Sequence, residues 1–179
     1  MSALFLAVCG VLSVAQQASQ PALPRVDRNA CPFECCQLGR WTANRKVTAY
    51  SDWRRSRQRL FEIQKGETVT ALAGVHVTYK PGHLRVLKEI PELHMRVGDT
   101  VLTYMYHGEG YFDFWVNGYS GNDQIYTALR CTEATMKETD PLCVVDEGDK
   151  EWWVKIKTSS GQTGWVNGNN GFDGTDACG

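Results

Sequence analysis

The chain of 179 residues has almost no net charge: 19 Lys and Arg against 20 Asp and Glu leave a formal −1. No global field therefore draws it to nucleic acid or to an anionic membrane. Long apolar runs are also missing. Residues 1–15 form the longest, short of the ~20 that a membrane-spanning helix needs. No stretch keeps an apolar period of 3.6, which argues against a helical architecture. The only helix expected lies around Asp123 to Leu129. The signatures G-x-S-x-G, H-E-x-x-H and the P-loop are all missing. His76, His83, His94 and His107 share no metal-ligand spacing, and C-x-x-x-C-C has no second ligand pair at zinc-like distance. The loop 169–176 carries the oxygens and glycines of a calcium site but not the closing Glu of an EF-hand. The sequence thus leads to no metal, no cofactor and no enzymatic activity.

What is present begins with an apolar segment holding Leu4, Phe5, Leu6, Val8, Val11 and Leu12, and closing on Ser13-Val14-Ala15. Small residues stand at the positions a signal peptidase reads. Although no Lys or Arg precedes it, residues 1–15 read as a secretory signal, which places the mature chain in the periplasm or outside the cell. Its removal takes away Cys9 and leaves Cys31, Cys35, Cys36, Cys131, Cys143 and Cys178. An even set in an exported chain reads as three disulfides. Six cysteines allow fifteen pairings, and the sequence does not choose among them. Cys131 and Cys143 bracket a polar insert and suit a staple, which leaves Cys178 to meet the Cys31, Cys35 and Cys36 cluster.

Residues 16–30 read as a linker with Pro21 and Pro24. From Trp41 onward the signals are β. Val47 to Tyr50, Leu60 to Ile63, Thr68 to Leu72, Val75 to Tyr79, Leu84 to Leu87, Thr100 to Tyr106 and Phe112 to Val116 are short alternating or β-branched runs. Turn residues separate them, Asn117-Gly118 among them. Two echoes run through the chain: Gly66-Glu67-Thr68-Val69 with Gly98-Asp99-Thr100-Val101, and Trp115-Val116-Asn117-Gly118 with Trp165-Val166-Asn167-Gly168. They suggest two related β units, 31–96 and 97–179, the second carrying an insert over 119–151.

The most informative stretch runs from Trp152 to Val166. Alternation sends Trp152, Val154 and Ile156 to one face and Trp153, Lys155 and Lys157 to the other. With Gly161, Gly164, Trp165 and Val166 it resembles the closing hairpin of bacterial Src-homology-3-like (SH3-like) domains, W-x-x-V-x-x-x-G-x-x-G-W-V. The start Cys31-Pro32-Phe33-Glu34-Cys35 and the finish Asp176-Ala177-Cys178-Gly179 are similar to the ends of a group of uncharacterised exported bacterial proteins. The resemblance implies an all-β, disulfide-stapled fold of SH3-like barrels, with two small units. It also implies an aromatic-lined groove for a peptide or cell-envelope polymer. The groove residues expected are Trp153, Trp165, Trp115, Tyr106, Lys155 and Lys157, with Trp153 exposed and Trp152 in the core. The alternative is a structural or inhibitory protein that docks on another exported protein. The run Trp53-Arg54-Arg55-Ser56-Arg57-Gln58-Arg59 reads as a solvated loop or a contact for an anionic partner. Neither ligand nor oligomeric state is fixed by the sequence.

Overall fold

Gly and Asn at the turns, with β-branched and aromatic residues between them, fold the chain into strands. A computed structural model describes residues 19–135 and 140–178. The expected signal, 1–15, and Cys9 lie outside the described residues. Among the described residues thirteen strands follow in order: β1 (Arg25–Arg28), β2 (Gly39–Ala43), β3 (Val47–Tyr50), β4 (Arg59–Ile63), β5 (Thr68–Lys80), β6 (Gly82–Val86), β7 (Thr100–Gly108), β8 (Tyr111–Val116), β9 (Tyr119–Gln124), β10 (Leu142–Asp146), β11 (Asp149–Thr158), β12 (Thr163–Asn167) and β13 (Phe172–Asp173). Pro91–Leu93 forms a 3-10 turn.

The strands form two antiparallel sheets. The first, curled into a half-barrel, runs β13-β2-β5-β11-β12-β3-β4, with β1 beside β5. The second runs β10-β6-β7-β8-β9. Each sheet has its own core. Trp41, Ile63, Val69, Trp152, Val154, Ile156 and Val166 fill the first. Leu84, Val86, Met95, Val101, Phe114 and Val116 fill the second. Complete burial of such side chains contributes ~1.5–3 kcal/mol each.

The first echo marks equivalent turns. Gly66 and Gly98 both have positive φ, 88° and 91°. Glu67 Oε2 accepts from Gln64 N at 2.9 Å, and Asp99 Oδ2 accepts from Arg96 N at 2.8 Å. Val69 and Val101 then enter the two cores. The second echo is shared only as far as Trp-Val. Asn117-Gly118, both at positive φ, closes the β8–β9 hairpin. Gly168 instead lies under the Trp152 indole, where a Cβ would stand 2.4 Å from the ring.

Several expectations change. The runs 68–72 and 75–79 are one strand, β5, because Gly74 continues the ladder opposite Val154. Its missing side chain makes room for Ala30 O and the Trp152 indole. The expected linker supplies β1, with Val26 opposite Val77. The expected division near 96/97 separates β6 from β7, which pair with each other. The first sheet takes strands from both ends of the chain and the second from its middle. The insert 119–151 contributes β9, β10 and the start of β11. No helix forms over 123–129: Asp123 and Gln124 finish β9, and Ile125 drops into the second core while its N–H bonds Gly110 O.

Disulfides join Cys31 to Cys36, Cys35 to Cys178 and Cys131 to Cys143, with Cα separations of 5.5, 5.6 and 5.0 Å. The last staples the segment before β10, as expected. The second ties the segment after β13 to the segment between β1 and β2.

Candidate functional site

Strand β11 lies at the centre of the first sheet. Its alternation places Trp152 in the core and Trp153 on the opposite face. There Lys155 stands opposite Trp165, and Trp165 opposite Tyr50. Val75 and Val77 of β5, with Val26 of β1, complete an apolar floor, edged by Tyr79. Trp153, Trp165, Lys155 and Lys157 thus share one face, as alternation predicts.

The segment 51–58 folds back over this floor. Trp53 is buried in it. The Arg57 guanidinium lies 4.1 Å from the centre of the Trp153 ring and 5.4 Å from that of Tyr50. Arg55 lies 3.7 Å over Tyr79, and Arg54 lies 4.5 Å over Trp53. Acids hold each guanidinium from the side: Asp52 for Arg54 at 2.5 Å, Asp149 for Arg55, and Glu151 for Arg57 at 3.7 Å. Glu151 also accepts from the Trp153 indole N–H at 2.7 Å. Trp153 is therefore only 2% exposed, which corrects the expectation of an open indole. The cause is tertiary: the arginine segment, distant in sequence, covers the face that alternation turned outward. Trp165 and Tyr50 remain half-buried, and Lys155 and Lys157 are exposed. Burial pushes the Asp52 carboxyl up, but the backbone and side chain of Arg54 outweigh it and hold the group below the usual range. Its hydrogen bond to Asp149 raises Arg55 further.

The two other expected groove residues lie elsewhere. Trp115 stands on β8, opposite Leu102 and Ser120 in the second sheet. Tyr106 stacks on Phe112 at 4.9 Å, and its hydroxyl accepts from Gly110 N at 3.2 Å. That pair lines a cleft between the sheets.

The cleft holds two neighbouring cavities. The larger, about 580 Å³, lies between the Phe33–Cys36 segment and the turn of the β7–β8 hairpin. On its wall Asp113 gathers His107 Nε2 and Asn122 Nδ2, each at 2.9 Å, together with Arg25. The smaller, about 200 Å³, is lined by His76, Tyr104, Tyr106, Phe112, Lys150 and Trp152, among others. Burial lowers Lys150 to about 8, with Glu147 opposing only in part. Behind it, Asp27 lies 3.8 Å from His76 Nδ1. Burial raises that carboxyl, but His76 and Arg25 outweigh it and leave Asp27 below its ordinary value.

The side chains of Cys35, Asp176 and Cys178 come together, but both sulfurs are engaged in one disulfide. In the loop 169–176, Asn170 accepts from Arg45, Asp173 from Asn44, and Asp176 from the Cys178 N–H. Among the described residues no helix is long and apolar enough to cross a membrane.

Sequence reasoning singled out the arginine run but not its stacking over the aromatic face, and it missed Lys150. A signal existed for the second: extending the alternation of Trp152, Val154 and Ile156 backwards puts Lys150 on the inward face. The acidic run around it disguised that. No family model, curated protein or solved structure matches the chain.

Proposed function

We propose that the chain is an exported, non-catalytic binding module of the SH3-like type, whose ligand lies across the arginine-capped aromatic face of the first sheet. The stacking of Arg54, Arg55 and Arg57 on Trp53, Tyr79 and Trp153 carries this reading. A guanidinium that rests one face on a ring keeps its in-plane donors for carboxylates. The pairs of Arg54 and Arg55 lie at the protein surface, each worth ~1 kcal/mol or less, and that of Arg57 is half-buried but long, at 3.7 Å. A ligand carboxylate replaces them at small cost. Lys155 and Lys157 extend the positive stripe beyond Trp165 and Tyr50. The fitting ligand is extended and bears carboxylates at intervals, as an acidic peptide or an acidic envelope polymer does. Three disulfides suit an oxidising compartment outside the cytoplasm.

A second reading, docking on another exported protein, is favoured by one feature. Strand β4 ends the sheet order with an open edge, and Leu60 on it is 53% exposed. Titration with poly-L-glutamate, with polygalacturonate, and with dextran as the neutral control tests the first reading. Binding to an acidic polymer is expected, falling with added salt. Loss of one such contact in Arg57→Ala or Trp165→Ala weakens it about tenfold. Equal affinity for dextran, or unchanged affinity in both variants with their folds intact, would overturn it.

A further inference from the structure

The smaller cavity of the inter-sheet cleft is lined by a cation, the Lys150 ammonium. Lys150 lies on the same face of β11 as Trp152, whose indole N–H is held by Ala30 O at 3.0 Å. From there its side chain crosses towards the second sheet. Nζ reaches Thr103 Oγ1 on β7 at 3.3 Å and sits 5.6 Å over the Phe112 ring on β8. The acids flanking it in sequence each pair with another group. Glu147 pairs with Arg130 at 3.0 Å, Asp149 with Arg55, and Glu151 with Arg57 and the Trp153 indole. Among the described residues no carboxylate forms an ion pair with Lys150. Buried ammonium groups are costly unless paired, so the site is short of one negative group.

The space beside that ammonium is small and its walls are aromatic. About 200 Å³ equals roughly seven water molecules at ~30 Å³ each. That is too small for a drug-sized ligand and suits a body of a single ring. We propose that this cavity binds a small organic carboxylate, its oxygens on Lys150 Nζ and the Thr103 hydroxyl, its apolar body against Tyr106 and Phe112. The site is separate from the arginine-capped face, on the other side of the first sheet.

Phenylacetate is the probe, titrated into the intact chain and followed by NMR shifts and calorimetry. The ionisable groups around the cavity are His76 from β5, Tyr104 and Tyr106 from β7, and Glu147 and Glu151 beside Lys150 itself. Burial places Lys150 at about 8. Affinity should therefore fall about tenfold between pH 7 and pH 9, as the charged fraction of the free ammonium falls. Lys150→Met should weaken binding at least tenfold at pH 7 and remove the pH dependence. Phenethylamine, with the same ring and the opposite charge, should not bind. Arg57→Ala should bind phenylacetate as the parent does, which separates this site from the polymer-binding face. The proposal is overturned if millimolar phenylacetate does not bind the folded parent chain. Equal binding by a folded Lys150→Met variant overturns it too, as does an affinity that stays flat from pH 7 to pH 9. The pH series needs no variant, so it decides the matter even if the substitution impairs folding.

Discussion

Replacing Lys150 with Met should stabilise the protein at neutral pH. Burial holds this amine at about 8, against 10.5 for the free side chain. Between those values the unfolded chain binds more protons than the folded one, so stability rises with pH across the window. Below pH 8 the full cost of burying the charge is present. The gap corresponds to about 3 kcal/mol at 1.36 kcal/mol for each pH unit. Met has similar length, keeps the contact with Phe112 and carries no charge. Urea melts of both proteins from pH 6.5 to 9.5 isolate the effect, because every other titrating group cancels in the difference. The variant should lead by about 3 kcal/mol at pH 6.5, and the lead should shrink by about 2 kcal/mol at pH 9.5. Parallel curves would refute the burial argument. So would a variant less stable than the parent at pH 6.5, which would mean that the ammonium is already compensated.

Gly74→Ala should cost about 3 kcal/mol or more, because the new Cβ would stand 1.9 Å from Ala30 O and 2.8 Å from the Trp152 indole nitrogen; a melt shifted by only a degree or two would contradict that packing. Trp152→Ala and Trp153→Ala should both lose ~3–5 kcal/mol, since both indoles are buried; a silent Trp153→Ala would mean that the arginine cap does not close the face. In the loop-closure picture, removing the Cys35–Cys178 bridge, with its sequence separation of 143, should cost about 5 kcal/mol. Removing Cys131–Cys143, separated by 12, should cost about 3 kcal/mol. Denaturant midpoints of the paired Cys→Ser variants test that order.

The strands were legible wherever a two-residue period met a turn dipeptide. Phe112 to Val116 followed by Asn117-Gly118 is the clearest case, and the alternation of β11 was read in the correct register. The order of strands in the sheets was not legible. Nothing local in Leu84 or Val144 says that β6 pairs with β10, across a gap that holds three other strands. The candidate site was legible in half. Local spacing brought Trp153, Trp165, Lys155 and Lys157 to one face, because that is a matter of period. That Arg57 covers Trp153 is a contact between residues 96 positions apart, and period says nothing about it. Trp115 shares the Trp-Val pattern of Trp165 but stands on the other sheet. A short echo reports a shared in-and-out alternation, not a shared place.

Lys80 and Asp149 face each other as cross-strand partners, and all of the second sheet lies between them in sequence. The chain leaves the rim of the first sheet and returns to it at a single point, which sets an order of assembly. A chain emerging from its N-terminus can finish the second sheet while β11, β12 and β13 are still absent. Until then β5 offers along most of its length the edge that β11 will occupy, and such an edge invites pairing with other chains. Stalled or truncated chains should therefore aggregate through β5, whereas a chain with Lys80 joined to Asp149 by a two-residue turn should keep the first sheet and dispense with the second.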